Sequence, residues 1–90
     1  MKENNLCKIV KNIIEIEKGG DVYTNVVYKN GEMDVLHVAN NGIKTYYELK
    51  STNRDIYIKK GIKQVKRAIK YGKCDKGYVV TPKHWYRVDK

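Results

Sequence analysis

The sequence predicts a single α/β domain, a mixed sheet flanked by helices, with the element order α-β-β-β-α-β. Two observations predict it. Apolar residues recur at helical spacing over residues 3–18 and again over residues 56–71. Between and after these segments lie runs rich in β-branched and aromatic residues, separated by glycine-containing turns. Residues 1–90 provide one domain, and no segment has the composition of a linker.

The first helix is predicted over residues 3–18. Asn4 or Asn5 is its candidate cap, and the Gly19-Gly20 pair ends it, because glycine favours the C-terminus of a helix. Its apolar side chains recur every three or four residues: Leu6, Ile9, Val10, Ile13 and Ile14. This stripe predicts an amphipathic helix with one face on the sheet.

The predicted strands are Val22–Tyr28, Met33–Ala39, Ile43–Lys50 and Gly77–Thr81, and Lys83–Lys90 is a candidate for a final short strand. The segment Lys29–Glu32 contains an Asn-Gly pair between the first two strands. Because Asn-Gly tolerates the positive φ angles of tight primed turns, this segment predicts a hairpin. The segment Asn40-Asn41-Gly42 predicts a second turn before the third strand.

The second helix is predicted from about Ile56 to Tyr71, with Asp55 as its candidate cap and Gly72 just past its end. Its apolar stripe is Ile58, Ile62, Val65 and Ile69. The candidate contacts to nucleic acid are the basic residues in and just before this helix: Arg54, Lys59, Lys63, Lys66, Arg67 and Lys70. The alternative is that these side chains only keep the protein soluble.

The charge of the chain favours a polyanionic partner. It carries 19 lysine and arginine residues against 10 aspartate and glutamate residues, a formal net charge of +9. Such an excess is typical of proteins that bind DNA, RNA or an acidic membrane surface. No apolar run approaches the ~20 residues of a membrane span, and no signal peptide is evident. We therefore expect an intracellular protein without a membrane segment, and a homodimer would compensate for the small core.

The chemistry-bearing residues are Asp34 on the second strand and Glu48 and Lys50 on the third. Side chains alternate along a strand, so Glu48 and Lys50 share a face. A two-residue loop before the third strand would place Asp34 on the opposite face. The three-residue loop Asn40-Asn41-Gly42 places Asp34 opposite Glu48, and its glycine suits the positive φ at the end of such a loop. We predict the three-residue loop, although a bulge within a strand would give the same parity.

Two carboxylates on adjacent strands repel each other in a partly dry site, and a bound divalent cation relieves that repulsion. Mg²⁺ suits such a site, since it takes one or two carboxylates, keeps waters and binds phosphate oxygens. Lys50 adds a positive charge at a reacting phosphate. A Glu-x-Lys triplet alone is more often an exposed ion pair. Combined with Asp34 and the basic helix, it predicts phosphodiester hydrolysis.

The segments Glu32-Met33-Asp34 and Tyr47-Glu48-Leu49-Lys50-Ser51 resemble the PD-(D/E)xK nuclease superfamily, with Met33 at the position of the proline. Nearly the whole chain is similar to the archaeal-type Holliday junction resolvases. Those proteins resemble it in a helix carrying Glu, a Gly-x-x-Asp strand and a strand ending in Glu-x-Lys-Ser. The matching segments are Glu3-Asn4-Asn5-Leu6, Gly31-Glu32-Met33-Asp34 and Glu48-Leu49-Lys50-Ser51. The resemblance implies a restriction-endonuclease-like core and a DNA substrate.

The resemblance also implies a set of metal ligands. It implies that Mg²⁺ or Mn²⁺ is bound by Asp34, Glu48 and the backbone carbonyl of Leu49, with Lys50 at the scissile phosphate. Many members of the superfamily have a Gln or Lys on the second helix that points at the site. Gln64 holds such a position here, and the alternative is an exposed helical glutamine.

Two acidic residues of the first helix are candidates to help hold the metal or its water. Glu3 and Glu17 both lie on the apolar stripe of that helix, and Glu3 is favoured by the resemblance. Two other functions remain open. The chain could be a non-catalytic nucleic-acid-binding module on the same fold, or a protein that binds an acidic partner through its basic helix. Neither function needs the trio of Asp34, Glu48 and Lys50.

Overall fold

The computed structural model describes residues 3–89, except for the side chain of Glu3. Its elements in chain order are α1 (Glu3–Lys18), β1 (Asp21–Tyr28), β2 (Gly31–Val38), β3 (Lys44–Leu49), α2 (Asp55–Lys70), β4 (Lys76–Val80) and β5 (Trp85–Val88). The predicted α/β class and order are confirmed, and the candidate final strand is present as β5. Within the described range, no helix is long and apolar enough to cross a membrane.

The strands form one mixed sheet in the order β1-β2-β3-β4-β5. Neighbouring strands are antiparallel except β3 and β4, which are parallel. Parallel neighbours need a crossover connection, and α2 supplies it. The carboxyl ends of β3 and β4 therefore lie at the same edge of the sheet.

One helix covers each face of the sheet. On one face, α1 packs through Leu6, Val10 and Ile14 against Val35, Tyr47, Leu49 and Val80. On the other, α2 packs through Ile58, Val65, Ala68 and Ile69 against Leu36, Tyr46, Val79 and Val88. The predicted stripe of α1 needs one correction: Ile9 is 43% exposed. The helix meets the sheet along its four-residue spacing, which leaves Ile9 on the flank.

Glycine sets how closely α2 approaches the sheet. A Cβ atom at Gly77 on β4 would lie 2.5 Å from Val65 Cγ1, and one at Gly61 would lie 2.9 Å from Val79 Cγ1. Both distances are far inside van der Waals contact, so a larger residue at either position would push α2 outward. Close packing here keeps water away from the side chains under α2.

The predicted helix bounds agree with the structure to within one residue, whereas the predicted N-terminal caps are wrong. Asn4 and Asn5 lie inside α1, so neither caps its start. Asp55 is the first residue of α2, and the capping position is Arg54, which makes no side-chain cap bond. Propensity at a helix start favours small polar residues, but only the backbone path decides which residue lies just outside the first turn. Asp55 still lies favourably at the positive end of the helix dipole.

The three-residue loop before β3 is confirmed. The Ala39 amide donates to the Ile43 carbonyl at 2.9 Å, the Gly42 amide donates to the Ala39 carbonyl at 2.9 Å, and Gly42 has a φ of 87°. The loop therefore closes between residues 39 and 43. This closure fixes the register of β3 on β2.

The predicted primed turn at Asn30-Gly31 is wrong. Tyr28 pairs with Gly31, so the loop is Lys29-Asn30 and Gly31 already belongs to β2. Neither Asn30 nor Gly31 has a positive φ. Gly31 instead makes room for a neighbour, because a Cβ atom there would lie 2.9 Å from the hydroxyl oxygen of Tyr28. The Asn-Gly pair predicted the hairpin correctly, but it did not predict the type of turn.

Candidate active site

The β1–β2 hairpin changes the sheet face to which its side chains point, halfway along its length. Val22 and Val35 pack with α1, whereas Val26 and Met33 pack with α2. Residues an even number apart on a regular strand share a face, so each strand must rotate between these positions. Asn25 lies at that point of β1 with a φ of 52°, inside the left-handed region. The rotation turns the hairpin tip toward α2.

Asp34 lies at the same point on β2, and its side chain ends the β2–β3 ladder. Backbone pairing with β3 begins at Val35↔Tyr47, and this register continued by one residue sets Asp34 opposite Glu48. The Leu49 amide donates to Asp34 Oδ2 at 2.9 Å. A carboxylate thus takes the place of the next backbone acceptor, which holds Asp34 against β3.

Glu48 is buried, 4% exposed, on the face that α2 covers. The Tyr46 hydroxyl donates a hydrogen bond to its Oε1, and the ammonium of Lys50 lies 3.1 Å from its Oε2. The same hydroxyl lies 3.2 Å from the Glu32 carbonyl oxygen at the hairpin tip. Tyr46 was not predicted from the sequence as a site residue, although its two-residue spacing from Glu48 places both side chains on one face of the strand.

The pKa of Glu48 is raised to about 7, mainly because burial disfavours the charged carboxylate. The hydrogen bond from Tyr46 opposes this rise in pKa. The neighbouring Asp34 carboxylate adds to it, by repulsion and by accepting a hydrogen bond from the protonated form, and Lys50 lowers it. Burial and the neighbouring carboxylate therefore outweigh the two contacts that favour the charged form of Glu48.

A small pocket of about 140 Å³ opens between the hairpin tip, β3 and α2. Its lining residues are Tyr28, Gly31, Glu32, Asp34, Glu48, Gln64 and Arg67. The Oε1 atom of Gln64 is buried, and no described residue donates a hydrogen bond to it. The structure therefore brings Gln64 to the carboxylates. Arg67 also reaches this pocket, where its guanidinium lies 3.5 Å from the Asn30 carbonyl oxygen.

A second small pocket lies on the α1 side of Asp34 and is lined by Asn4, Cys7, Asn25, Asp34 and Leu49. The N-terminal end of α1 therefore meets the site. Glu3 begins that helix, but its side chain lies outside the described residues. Glu17 is exposed and lies ten residues beyond Cys7, about 15 Å further along the helix. Glu17 therefore lies far from the Asp34 and Glu48 carboxylates.

The predicted basic residues do not form one surface. Arg67 lines the carboxylate pocket, whereas Lys66 and Lys70 line a groove with Asp89 at the C-terminal end of α2. Lys59 and Lys63 are exposed on the helix. Arg54 lies in a third place, the groove beyond the end of β3. Helical spacing predicted exposure correctly, but it could not tell which flank of α2 borders the site.

The chain was compared with protein families, curated proteins and solved structures. No family model matches it, and no curated protein gives a significant match. The fold is similar to the crystal structure of a repair endonuclease from Pyrococcus abyssi, with a TM-score of 0.66 and 26% identity over 91% of this chain and 38% of that chain. It is also similar to the crystal structure of SSO0001, with a TM-score of 0.61 and 12% identity over 97% of this chain and 50% of that chain.

These comparisons establish a nuclease-like α/β fold. At 12% identity the second match concerns the fold alone. The chain spans half or less of the length of the two structures. The shared part includes both helices and the mixed sheet, and so the elements that carry Asp34, Glu48 and Lys50.

The left-handed conformation of Asn25 generates a first prediction. Asn25→Gly should keep the free energy of unfolding close to that of the parent protein, because glycine adopts positive φ freely. Asn25→Val should lower it by about 1–3 kcal/mol, because a β-branched residue is strained there. Thr24→Val, one residue away, is the control. Urea unfolding of the three variants measures the difference, and equal stability of the two Asn25 variants would contradict the assignment.

The raised pKa of Glu48 generates a second prediction. The unfolded chain releases this proton near pH 4.5 and the folded chain near pH 7, so the folded state binds more protons in between. Stability therefore falls as pH rises through this window, and the penalty is fully present above pH 7. Glu48→Gln lacks this titration, so its stability relative to the parent should rise from pH 4.5 to 7, by on the order of 3 kcal/mol.

Urea unfolding in EDTA at several pH values measures this difference. The control is Glu15→Gln, which removes an exposed carboxylate of α1. A stability difference between Glu48→Gln and the parent that stays constant with pH would show that Glu48 ionises normally in the folded protein.

Proposed function

We propose that this chain is a metal-dependent nuclease that hydrolyses phosphodiester bonds in DNA, with Asp34, Glu48 and Lys50 as its active site. One observation carries the proposal: two carboxylates line one pocket at the end of the β2–β3 ladder, and the Lys50 ammonium lies 3.1 Å from one of them, in a protein with a net charge of +9. The similarity to a repair endonuclease supports the same activity.

The donor set fits one divalent cation that needs few protein ligands. Among the described residues, no group of three or more His, Cys, Asp or Glu side chains could hold a metal ion. Mg²⁺ needs only one or two carboxylates, because it retains several waters and takes oxygens from a substrate phosphate. Asp34 and Glu48 supply the carboxylates, and the backbone of Leu49 lies beside Asp34. Mn²⁺ suits the same oxygen donors.

A bound cation would activate a water and stabilise negative charge on the phosphate. The residues of this chain prepare the site for that reaction. The Leu49 amide orients Asp34, and the Tyr46 hydroxyl orients Glu48. Lys50 presents a positive charge next to Glu48, where it stabilises charge developing on a phosphate oxygen. Gln64 lines the pocket, and its buried Oε1 atom, which no described residue contacts with a donor, is a candidate acceptor for a buried water.

The finer assignment is to the PD-(D/E)xK superfamily, in the manner of the archaeal-type Holliday junction resolvases. The placement of Glu48 and Lys50 side by side, with Asp34 in the same pocket, supports it. Met33, at the position of the superfamily proline, is a buried core residue here and has no chemical role in the proposal. A junction or other branched DNA as substrate and a homodimer as the working unit belong to this same proposal.

One observation favours the second candidate, a non-catalytic nucleic-acid-binding module. Both oxygens of Glu48 are already contacted, one by Tyr46 and one by Lys50, as in a structural ion-pair network. Such a network would need no cation. It gives no reason, however, for the buried Oε1 atom of Gln64, a residue that lines the same pocket and whose Oε1 accepts no hydrogen bond from a described residue.

Conservative variants should separate these candidates. Asp34→Asn still offers an oxygen to the Leu49 amide, and Glu48→Gln still accepts from Tyr46, so both changes remove charge while the packing is kept. Each should lower metal-dependent cleavage by roughly a hundredfold or more. DNA binding in EDTA should be unchanged or stronger, because each change removes a negative charge near the phosphate.

The assay is a cleavage panel of duplex, single-stranded, flap and four-way junction DNA with Mg²⁺, Mn²⁺ or EDTA. Glu15→Gln is the matched control, since it removes an exposed carboxylate distant from the pocket. Absence of metal-dependent cleavage on every substrate would favour the binding module. Cleavage by both site variants at the parental rate would place the active site elsewhere.

A further inference from the structure

A groove of about 450 Å³ lies directly beyond Lys50, where the chain leaves β3 and β4 at the same edge of the sheet. Its lining residues are Ser51, Thr52, Asn53, Arg54, Pro82 and Lys83. Five of these six side chains carry hydrogen-bond donors, and two of the five are cations. None of the six is a carboxylate. The nearest acidic residue in sequence, Asp55, is exposed on α2 and does not line the groove.

The wall of this groove is organised by Thr81, which is 1% exposed. Its hydroxyl oxygen accepts the amides of Lys83 at 3.2 Å and His84 at 3.0 Å, and the hydroxyl donates to Asn53 Oδ1 at 2.7 Å. One buried side chain therefore ties the loop after β3 to the loop after β4. The shape of the groove is therefore fixed by hydrogen bonds between its two loops.

This arrangement fixes which way the Asn53 amide points. Its Oδ1 atom accepts hydrogen bonds from Thr81 and from the Tyr86 hydroxyl, the latter at 3.3 Å. The oxygen is thus used by the protein, and the two N–H donors of the amide face the other way. The Thr52 hydroxyl oxygen accepts a hydrogen bond from the backbone amide of Arg54 at 3.4 Å.

We infer that this groove binds a phosphate of the nucleic-acid strand next to the linkage that reacts at Lys50. The inference rests on the proposed function in taking nucleic acid as the ligand. Oriented amide and hydroxyl donors with two cations and no carboxylate suit a phosphate oxygen. Asn53 is three residues past Lys50, at most about 10 Å along the chain. That distance places the groove close to the linkage that reacts at Lys50.

Two variants test the groove by binding alone. Lys83→Gln removes an exposed cation, and Asn53→Asp keeps the oxygen that Thr81 and Tyr86 contact while it replaces the two donors with negative charge. Each should weaken binding of a fluorescein-labelled DNA oligonucleotide in EDTA by roughly tenfold, the effect of one charge-assisted hydrogen bond. Lys73→Gln, at the far end of α2, is the control that changes the net charge equally.

Neutral linkages locate the contact. A methylphosphonate is placed at one linkage at a time, and in the parent protein one or two positions near the reacting linkage should weaken binding. In Lys83→Gln and Asn53→Asp the same neutral linkage should cost less, because its partner is already missing. Binding by both variants equal to that of Lys73→Gln, or neutral-linkage effects identical to those in the parent, would overturn the inference.

The design separates this inference from the proposed function. Binding in EDTA does not depend on hydrolysis, so a protein that binds as expected but never cleaves would refute the nuclease and keep the groove. A protein that cleaves, but whose groove variants bind like the control, would refute only the groove. Thermal unfolding of Lys83→Gln checks that its fold is intact, since Lys83 contributes only its backbone amide to the Thr81 network.

Discussion

The site depends on the rotation of the β1–β2 hairpin between its base and its tip. If β2 continued as a regular strand, the Leu49 amide would pair with its backbone and the ladder would extend past Glu48. The rotation at Asn25 and Asp34 ends this pairing and gives the Leu49 amide to a carboxylate. The backbone acceptor that the ladder loses is replaced by the side chain of Asp34.

The same rotation explains why the site is dry on one side and open on the other. The rotated tip brings Met33 into the core under α2 and sets the Glu32 carbonyl near Tyr46. Glu48 is then enclosed by Tyr46, Lys50 and the helix that Gly61 allows to approach. Burial raises its pKa, because the contacts from Tyr46 and Lys50 offset only part of the cost of keeping a charged group there. A cation would replace part of that pairing, which makes the site responsive to a ligand.

Much of this could be predicted from the sequence, because the signals were local or periodic. Helical spacing located both helices, and the glycine after Asn40-Asn41 set the parity that faces Asp34 toward Glu48. The conformation of Asn25 could not be predicted, since asparagine in a strand of β-branched residues gives no periodic signal. The position of Arg67 also needed the structure. It lies on the predicted basic face, but only the rotation of the hairpin brings Asn30 and the wall of the pocket to that flank.

The charge of the protein is therefore divided among several surfaces. Lys66 and Lys70 border a groove at the C-terminal end of α2, whereas Arg54 and Lys83 lie at the opposite end of that helix, beside Lys50. Along the axis of α2, Lys66 lies about 18 Å and Lys70 about 24 Å beyond Arg54. At physiological ionic strength, exposed charges this far apart act almost independently, because the Debye length is about 8 Å. The distant lysines then act mainly in the encounter with a polyanion. Arg67 in the carboxylate pocket and the cations of the groove beyond Lys50 are close enough to set the position of a strand on the carboxylates.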